Sequence, residues 1–285
     1  MGGIFICYGP LSVSHISNNC ALIPVMRAPH ASSLCIAAIF SVLSQMACPA
    51  AEEGAPRRPQ QQGWSVGPLL LVVDQPYRGK SSRSIVVPAI GYEGDTVFLR
   101  GLRFGVHLKS SSEFTADFLV QPRFAGFKAS DIAVIPNLED RRDSMDAGFD
   151  MRVALTGASA VRITALADVL GRSNGQELDL RYEYLYRHGR ARVTPWFGGR
   201  WLSSRLADYY YGTLSSEVAA GAPPYQPGPV LLPQVGVTIF TPLGQSKWTV
   251  FTLLAASFLP NRLSNSPLVD GDTASIIIAG ISYHL

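Results

Sequence analysis

The chain has 285 residues, a formal net charge of +3 and a pI near 8.7, and its charges are spread without a basic block. This distribution gives no electrostatic footprint for nucleic acid, so we expect no nucleic-acid partner. Charged residues make up only 16% of the chain, below the roughly 25% of an ordinary soluble domain. No apolar run of about 18 to 20 residues follows the N-terminal region, which excludes a bundle of membrane-spanning helices.

The first 50 residues have the layout of a secretory signal. A basic stretch begins at Met26, an apolar run follows at 34–43, and small residues at 48–51 precede an acidic pair. This order predicts a signal peptide cleaved after Ala50, with translation starting at Met26 and an upstream extension before it. Lipidation of Cys48 is an alternative, but the residues before it lack the usual leucine-led pattern.

The cysteines and the next stretch of chain agree with export. All four cysteines, at positions 7, 20, 35 and 48, precede the predicted cleavage site. A mature chain without cysteine suits a protein that crosses an oxidising periplasm unfolded. Residues 51–63 are rich in proline and glutamine, and this composition predicts a disordered leader.

From Trp64 onward, apolar and polar residues alternate in about eleven segments, with no convincing helix between them. In the clearest segment, 146–156, Phe149 and Met151 lie on one face, and Asp150 and Arg152 lie on the other. The predicted strands are 64–73, 85–92, 98–108, 114–127, 146–156, 161–169, 178–187, 192–201, 231–240, 248–258 and 276–285.

Strands of about ten residues with two different faces are typical of outer-membrane barrels. A soluble β-sandwich also alternates. The secretory signal, the cysteine-free mature chain and an apolar last strand, IIIAGISYHL, favour the membrane. Residues 64–285 are therefore predicted to form an all-β, transmembrane, antiparallel up-and-down β-barrel. Bacterial barrels have even strand numbers, so we expect 10 or 12 strands and a miscounted one before Gly91.

The connections and aromatic residues suggest how the barrel sits. Long connections at 128–145, 205–229 and 259–272 are expected to face outward, with the C-terminus in the periplasm. Aromatic residues near segment ends predict interfacial girdles. These are the tyrosines of 182–186, Trp201, Tyr209, Tyr210, Tyr211 and Trp248.

The polar rows predict a charged lumen. A barrel of this size is narrow, and an unpaired charge inside it would carry a desolvation penalty. We therefore expect opposite charges to pair across a mostly filled interior and to hold the barrel together. The predicted network consists of Arg103, Asp117, Arg123, Asp150, Arg152, Arg162, Asp168, Asp179, Arg181, Glu183, Arg187, Arg192 and Arg200.

A catalytic site has little support. After the signal only His107, His188 and His284 remain, and His107 near Ser110 is the single plausible base and nucleophile pair. A lumen histidine bonded to its neighbours is the simpler interpretation.

A cation site in the acidic stretch 139–146 is also conceivable, because hard cations need several carboxylate oxygens. However, Arg141 and Arg142 interrupt that stretch and favour a self-paired loop. We expect no enzyme, no cofactor and no metal.

Several stretches resemble the MipA/OmpV family, named for the MltA-interacting protein. They are 98–101 (FLRG), 124–131 with 138–148 (FAGFKASD and LEDRRDSMDAG), 210–217 with 221–225 (YYGTLSSE and GAPPY) and 266–269 (SPLV). The resemblance covers about residues 63–285.

The resemblance implies a non-enzymatic barrel in the lipid of the Gram-negative outer membrane. It implies a scaffold that joins a lytic murein transglycosylase and a bifunctional murein synthase, and a narrow porin-like channel is the alternative. It also implies insertion by the barrel-assembly machinery, which would read the row Ile281, Tyr283 and Leu285. The family commonly closes on Tyr-x-Phe, so Leu285 is a departure that weakens this signal.

Overall fold

The computed structural model describes residues 62–79, 82–132, 135 and 137–285. The predicted signal peptide and nearly all of the leader at 51–63 lie outside these residues and stay predictions. The described residues contain thirteen strand segments: β1 (Gly63–Asp74), β2 (Arg83–Glu93), β3 (Val97–Arg100), β4 (Arg103–Ser110), β5 (Phe114–Arg123), β6 (Ser144–Ala154), β7 (Ser159–Asp168), β8 (Gln176–Tyr184), β9 (Tyr186–His188), β10 (Ala191–Leu202), β11 (Val230–Pro242), β12 (Trp248–Phe258) and β13 (Thr273–His284).

These segments form one closed antiparallel barrel. Strands that follow one another in the chain pair with each other, and β1 pairs with β13, which closes the ring. β8 and β9 are two parts of one strand, because Glu183 pairs with Trp196 and Tyr186 pairs with Val193 in a single register against β10. The described part of the chain is therefore a twelve-stranded barrel, which confirms the predicted fold.

The segment predicted at 98–108 is two strands. β3 and β4 form a hairpin in which Arg100 pairs with Arg103, leaving a two-residue turn that begins at Gly101. Gly101 has φ +63°, the sign that a type II′ turn requires at its first central residue. The twelfth strand therefore lies after Gly91, and the expectation of a miscount before Gly91 was wrong. A search for alternating residues does not by itself separate two strands that are joined by a two-residue turn, as in 98–108.

Substitution of Gly101 by alanine is expected to destabilise the barrel. A side chain in the left-handed region costs about 1 to 2 kcal/mol. Gly157→Ala is the matched control, because a Cβ at Gly157 would meet no heavy atom within 4 Å. Urea unfolding of the protein in lipid vesicles, followed by tryptophan fluorescence, measures both variants. Equal free energies of unfolding would contradict the turn assignment.

The two ends of the barrel differ in their connections. β1 starts and β13 ends at one end of the barrel, where the Leu285 N–H donates to the Trp64 carbonyl and the turns between strands are short. The long connections between described strands lie at the opposite end. Outer-membrane barrels have short periplasmic turns and longer extracellular loops, so the end where β1 starts and β13 ends faces the periplasm. The extracellular loops are formed by the described residues of 75–82, 124–143, 169–175, 203–229 and 259–272.

Large apolar side chains form a belt on the outer surface. Val86 keeps 72% of its surface exposed, and such exposure of apolar residues marks a surface that contacts lipid or protein. At the periplasmic end two aromatic pairs border the belt, with ring centroids 4.8 Å apart for Trp64 and Tyr92 and 5.0 Å apart for Trp248 and Tyr283. Other members of the belt are Phe104, Phe149, Leu180, Phe197 and Leu231.

Short helices occur in the extracellular loops, although the alternation pattern predicted no helix there. They are α1 (Ser204–Tyr211), α2 (Ser215–Ala219) and α3 (Asn261–Ser264). None of the helices among the described residues is long and apolar enough to cross a membrane. Tyr209, Tyr210 and Tyr211, expected in an interfacial girdle, belong instead to α1, where Tyr210 is buried in a loop core.

Candidate functional site

Two features are the strongest candidates for a functional site: an ionic network in the lumen and a folded lid at the extracellular end. The strand register decides which residues face the lumen, because side chains alternate between the two sides of a strand. On β4 to β10 the charged residues occupy the inward positions, opposite the lipid-facing belt.

The first group of the network joins β2, β3, β4 and β5. The Arg100 guanidinium lies 2.7 Å from a Glu93 carboxylate oxygen and 3.6 Å from Asp117. His107 Nδ1 lies 2.7 Å from Asp117, and His107 Nε2 lies 3.2 Å from Glu93. Both ring nitrogens of His107 therefore contact carboxylates, and the structure does not pair His107 with Ser110.

The second group joins β6, β7 and β8. Arg162 contacts Asp150 and Glu183, each at 2.8 Å. Thr164 donates to the other Asp150 oxygen at 2.7 Å, and Arg152 lies 3.4 Å from Glu183. Glu183 is thus held between two arginines from neighbouring strands, and Asp150 is held between Arg162 and the Thr164 hydroxyl.

The third group lies near the extracellular end. Arg123 contacts Asp146 at 2.7 Å and Glu177 at 2.8 Å, and both carboxylates are almost fully buried. Arg200 contacts Glu177 at 3.2 Å and Asp179 at 3.3 Å. Arg181 then lies 2.5 Å from Asp179, so the group runs across β5, β6, β8 and β10.

Four predicted members lie apart from these groups. Asp168 accepts hydrogen bonds from Ser144 and from Ser173 in the β7–β8 turn, so it caps a turn. Arg103 donates to the Gln121 side chain at 2.7 Å. Arg103, Arg187 and Arg192 have no carboxylate within ion-pair distance among the described residues.

Besides His107, four charged members of the network were missing from the predicted set. They are Glu93, Arg100, Asp146 and Glu177, and all four occupy inward positions near strand ends. Extending each alternating segment by one or two residues would have found Glu93 and Glu177. Arg100 was assigned to the apolar row because the turn at Gly101 reverses the alternation.

The opposite wall of the lumen is apolar, which differs from the predicted charged interior. In the middle of β1, β2, β12 and β13 the inward positions carry mainly aliphatic side chains, and the charged residues of β2, Arg83 and Glu93, lie at its two ends. The pairs Leu71 with Ile278 and Leu253 with Ile278 fix this face. Other inward apolar residues are Leu69, Val73, Ile85, Val87, Ala89 and Ile276.

Three extracellular loops fold into a compact lid, defined here as the described residues of 124–143, 203–229 and 259–272. Its first apolar core packs α1 against inward residues at the tops of β10 and β11. The lid therefore leans over the extracellular mouth of the barrel. The core contains Leu202, Leu206, Ala207, Tyr210, Val230, Leu232, Leu259, Leu263 and Val269.

A buried ion pair fixes the lid. The Arg141 guanidinium donates to both oxygens of Glu217, at 2.7 and 2.8 Å, and both side chains are fully buried. Arg141 also donates to the backbone carbonyls of Tyr209, Glu139 and Gly212. One arginine therefore ties the loop 124–143 to α1 and α2.

The environment of Glu217 keeps it ionised. Burial raises the pKa of its carboxyl, but hydrogen bonds from Arg141 and from the backbone N–H groups of Glu139 and Leu214 outweigh burial. The pKa of Glu217 therefore lies below its ordinary value, as expected for a carboxylate that accepts several hydrogen bonds.

The acidic residues considered for a cation contact protein groups. Asp140 accepts a hydrogen bond from the Ala129 N–H, and Asp143 accepts one from the Gly126 N–H. Among the described residues no group of three acidic, histidine or cysteine side chains has the arrangement of a metal site.

Apart from FLRG, which lies in β3 and its turn, the stretches that resemble a known family contribute residues to the lid. FAGFKASD and LEDRRD supply the loop with Arg141, YYGTLSSE supplies Glu217, and SPLV supplies Leu268 to a second core with Tyr77 and Phe127. Segments far apart in sequence thus build one unit at the extracellular mouth.

Comparison with known proteins gives consistent matches. The family model for MltA-interacting protein MipA matches residues 66–285. The MltA-interacting protein of Escherichia coli (strain K12) is 30% identical over 224 residues, which cover 77% of this chain and 89% of that protein. The putative outer membrane protein YiaT of the same strain is 28% identical over 234 residues, with the same two coverages.

A third relative matches a smaller part of the chain. The outer membrane protein OmpV of Vibrio cholerae is 24% identical over 150 residues, which cover 53% of this chain and 58% of that protein. The family match spans the whole barrel, including the lid and the ionic network. The chain therefore belongs to the MipA/OmpV family of outer-membrane β-barrel proteins of Gram-negative bacteria.

Proposed function

We propose that this barrel is a non-enzymatic scaffold that holds murein-remodelling enzymes at the inner face of the outer membrane. The partners would be a lytic transglycosylase of the MltA type and a murein synthase. The observation that carries the proposal is the lid, which is locked by the buried Arg141–Glu217 pair over a lumen lined with ion pairs. The lid and the ion pairs keep the lumen closed, so the surface available for binding periplasmic partners is the periplasmic end.

The porin-like alternative is not favoured. A conducting lumen needs a hydrated path from end to end, whereas α1 packs on inward residues of β10 and β11 at the extracellular mouth. Below the lid, Arg123 and Arg200 contact carboxylates from other strands. Stable single-channel conductance of the purified protein in planar bilayers would favour the alternative.

One sector of the periplasmic rim has basic side chains and no acidic ones. The stretches 184–192, 240–249 and 281–285 contain no aspartate or glutamate. They come together at one side of the rim, where Arg190 donates to the Gly244 carbonyl and the His284 N–H donates to the Lys247 carbonyl. This basic sector, with Arg187, Arg190, Arg192 and Lys247, fits an acidic patch on a partner enzyme.

Reversal of two charges in the basic sector is expected to weaken partner binding. For Arg187→Glu with Lys247→Glu, we expect the association rate with an MltA-type transglycosylase to fall about tenfold at low salt, because steering by the rim is lost. Surface plasmon resonance with the barrel held in lipid nanodiscs measures this rate.

The matched control is Asp95→Lys with Glu113→Lys, which reverses two acidic residues beside turns elsewhere on the same rim. Equal rates for both double variants would show that the basic sector is not the contact. If neither murein enzyme binds the wild-type barrel, the scaffold proposal itself fails.

A further inference from the structure

The barrel wall has a window in its extracellular half. β3 has four residues, and it pairs with β2 only from Gly91 to Glu93. On its other side β2 pairs with β1 from Arg83 to Glu93. The eight residues 83–90 of β2 therefore form a free edge above the β3–β4 hairpin, roughly 26 Å of strand at 3.3 Å per residue.

The window has a complete frame. Its lower edge is the hairpin turn at Gly101, and its far side is the end of β5, where Gln121 accepts from Arg103. Across the top, Arg83 lies 2.9 Å from Asp143 and 5.7 Å from the Phe124 ring centroid. Because two strands are missing from this part of the wall, the opening is roughly 10 Å wide.

The free edge of β2 is adapted to a lipid environment. Unpaired backbone N–H groups are costly in hydrocarbon, and Pro88, which has none, lies on this edge. Its outward neighbours Val86 and Ile90 are exposed. The window therefore opens toward the acyl chains of the outer leaflet.

Behind the window lies the apolar wall of the lumen. Ile85, Val87 and Ala89 of β2 face inward, next to Leu69 and Leu71 of β1. A Cβ at Gly101 would lie 4.0 Å from the Leu69 side chain, so the apolar wall extends to the lower edge of the opening. A hydrocarbon chain that passed the window would contact aliphatic side chains.

A cation without a carboxylate partner stands at the lower edge. Arg103 faces the lumen, donates to Gln121 and has no carboxylate within ion-pair distance among the described residues. Other inward arginines of this half, such as Arg100 and Arg123, are paired. Arg103 beside an apolar wall therefore fits a ligand that has one anionic head group and one hydrocarbon chain.

We propose that the window admits a free long-chain fatty acid from the outer leaflet, with its carboxylate at Arg103 and its chain along the apolar wall. A lipid with several chains does not fit this site, which offers one cation and one strip of aliphatic side chains. The site is independent of the proposed scaffold role.

The test uses the purified barrel in phospholipid nanodiscs and palmitate with a photoreactive group in the middle of its chain. Mass spectrometry is expected to place cross-links on the inward residues Leu69, Ile85 and Val87, and excess palmitate is expected to remove them. Labels confined to outward residues such as Val86, or protection by phospholipid in place of palmitate, would overturn the proposal.

Two variants test separately the site of the carboxylate, at Arg103, and the site of the hydrocarbon chain, at the apolar wall. Arg103→Gln is expected to lower the affinity for palmitate about tenfold, which corresponds to the loss of one charge-assisted hydrogen bond. The affinity for hexadecanol, which has no charge, should stay unchanged. Ala89→Trp is expected to lower the affinity for both ligands, because the indole would occupy the space beside the apolar wall behind the window.

The controls are matched to each variant. Arg187→Gln removes another inward arginine, at the periplasmic end, that has no carboxylate within ion-pair distance in the described part of the chain. Val86→Trp adds an indole to the outward side of β2. Both controls should keep wild-type affinity, and heat-modifiable migration in gels verifies that every variant is folded. Equal effects of Arg103→Gln and Arg187→Gln would overturn the head site.

Discussion

Replacement of Arg141 by alanine is expected to open the extracellular lid while the barrel remains folded. Removing one partner of a buried ion pair leaves an uncompensated charge, which costs about 3 to 5 kcal/mol. The Arg141–Glu217 pair is fully buried and joins two loops. Hydrogen exchange of the amides in 203–229 measures the opening, and urea unfolding measures the barrel.

The pH dependence of the lid should weaken in this variant. In the wild type the lowered pKa of Glu217 contributes stability that is present above its unfolded pKa of about 4.3 and is lost as the pH falls through the folded pKa. Arg141→Ala removes the hydrogen bonds and the charge of Arg141, which lower the pKa of Glu217, and leaves the hydrogen bonds from the Glu139 and Leu214 N–H groups. Lid stability of Arg141→Ala should therefore change less than that of the wild type as the pH falls through the folded pKa of Glu217.

Arg83→Ala is the matched control for the lid. Its pair with Asp143 has a similar length, 2.9 Å, but both side chains keep more than a third of their surface exposed. Such pairs contribute about 0 to 1 kcal/mol. If the amides of 203–229 were as well protected from hydrogen exchange in Arg141→Ala as in Arg83→Ala, the lid would not depend on the buried pair.

Loss of Arg123 is expected to cause the largest destabilisation of the barrel itself. Arg123→Ala would leave Asp146 and Glu177 facing each other without their shared cation, at a cost of about 3 kcal/mol. The change also removes a contact between β5 and β8, which are not adjacent in the sheet. Urea unfolding in lipid vesicles measures the loss.

Arg187→Ala is the control for the ionic network. Arg187 also faces the lumen, but it has no carboxylate within ion-pair distance in the described part of the chain. Its removal should change the free energy of unfolding by less than about 0.5 kcal/mol. Comparable losses for Arg123→Ala and Arg187→Ala would mean that the network does not hold the barrel together.

Period-two alternation identified eleven of the twelve strands, because lipid and lumen impose different chemistry on the two faces of each strand. It failed where the alternation itself changes. Arg100 interrupts an otherwise apolar row, and the interruption marks the two-residue turn at Gly101. The tyrosines of α1 likewise resemble an interfacial girdle in sequence, although they form the core of a loop lid.

Local alternation and residue type were enough to predict the strands, their two faces, the barrel and the charged wall of the lumen. The contact of Arg141 with Glu217, the carboxylates that share Arg123 and the position of the window beside β2 became visible in the folded structure. Those features depend on strand register and on loops that meet across the barrel mouth. Contacts between residues distant in sequence leave no periodic signal in a single chain.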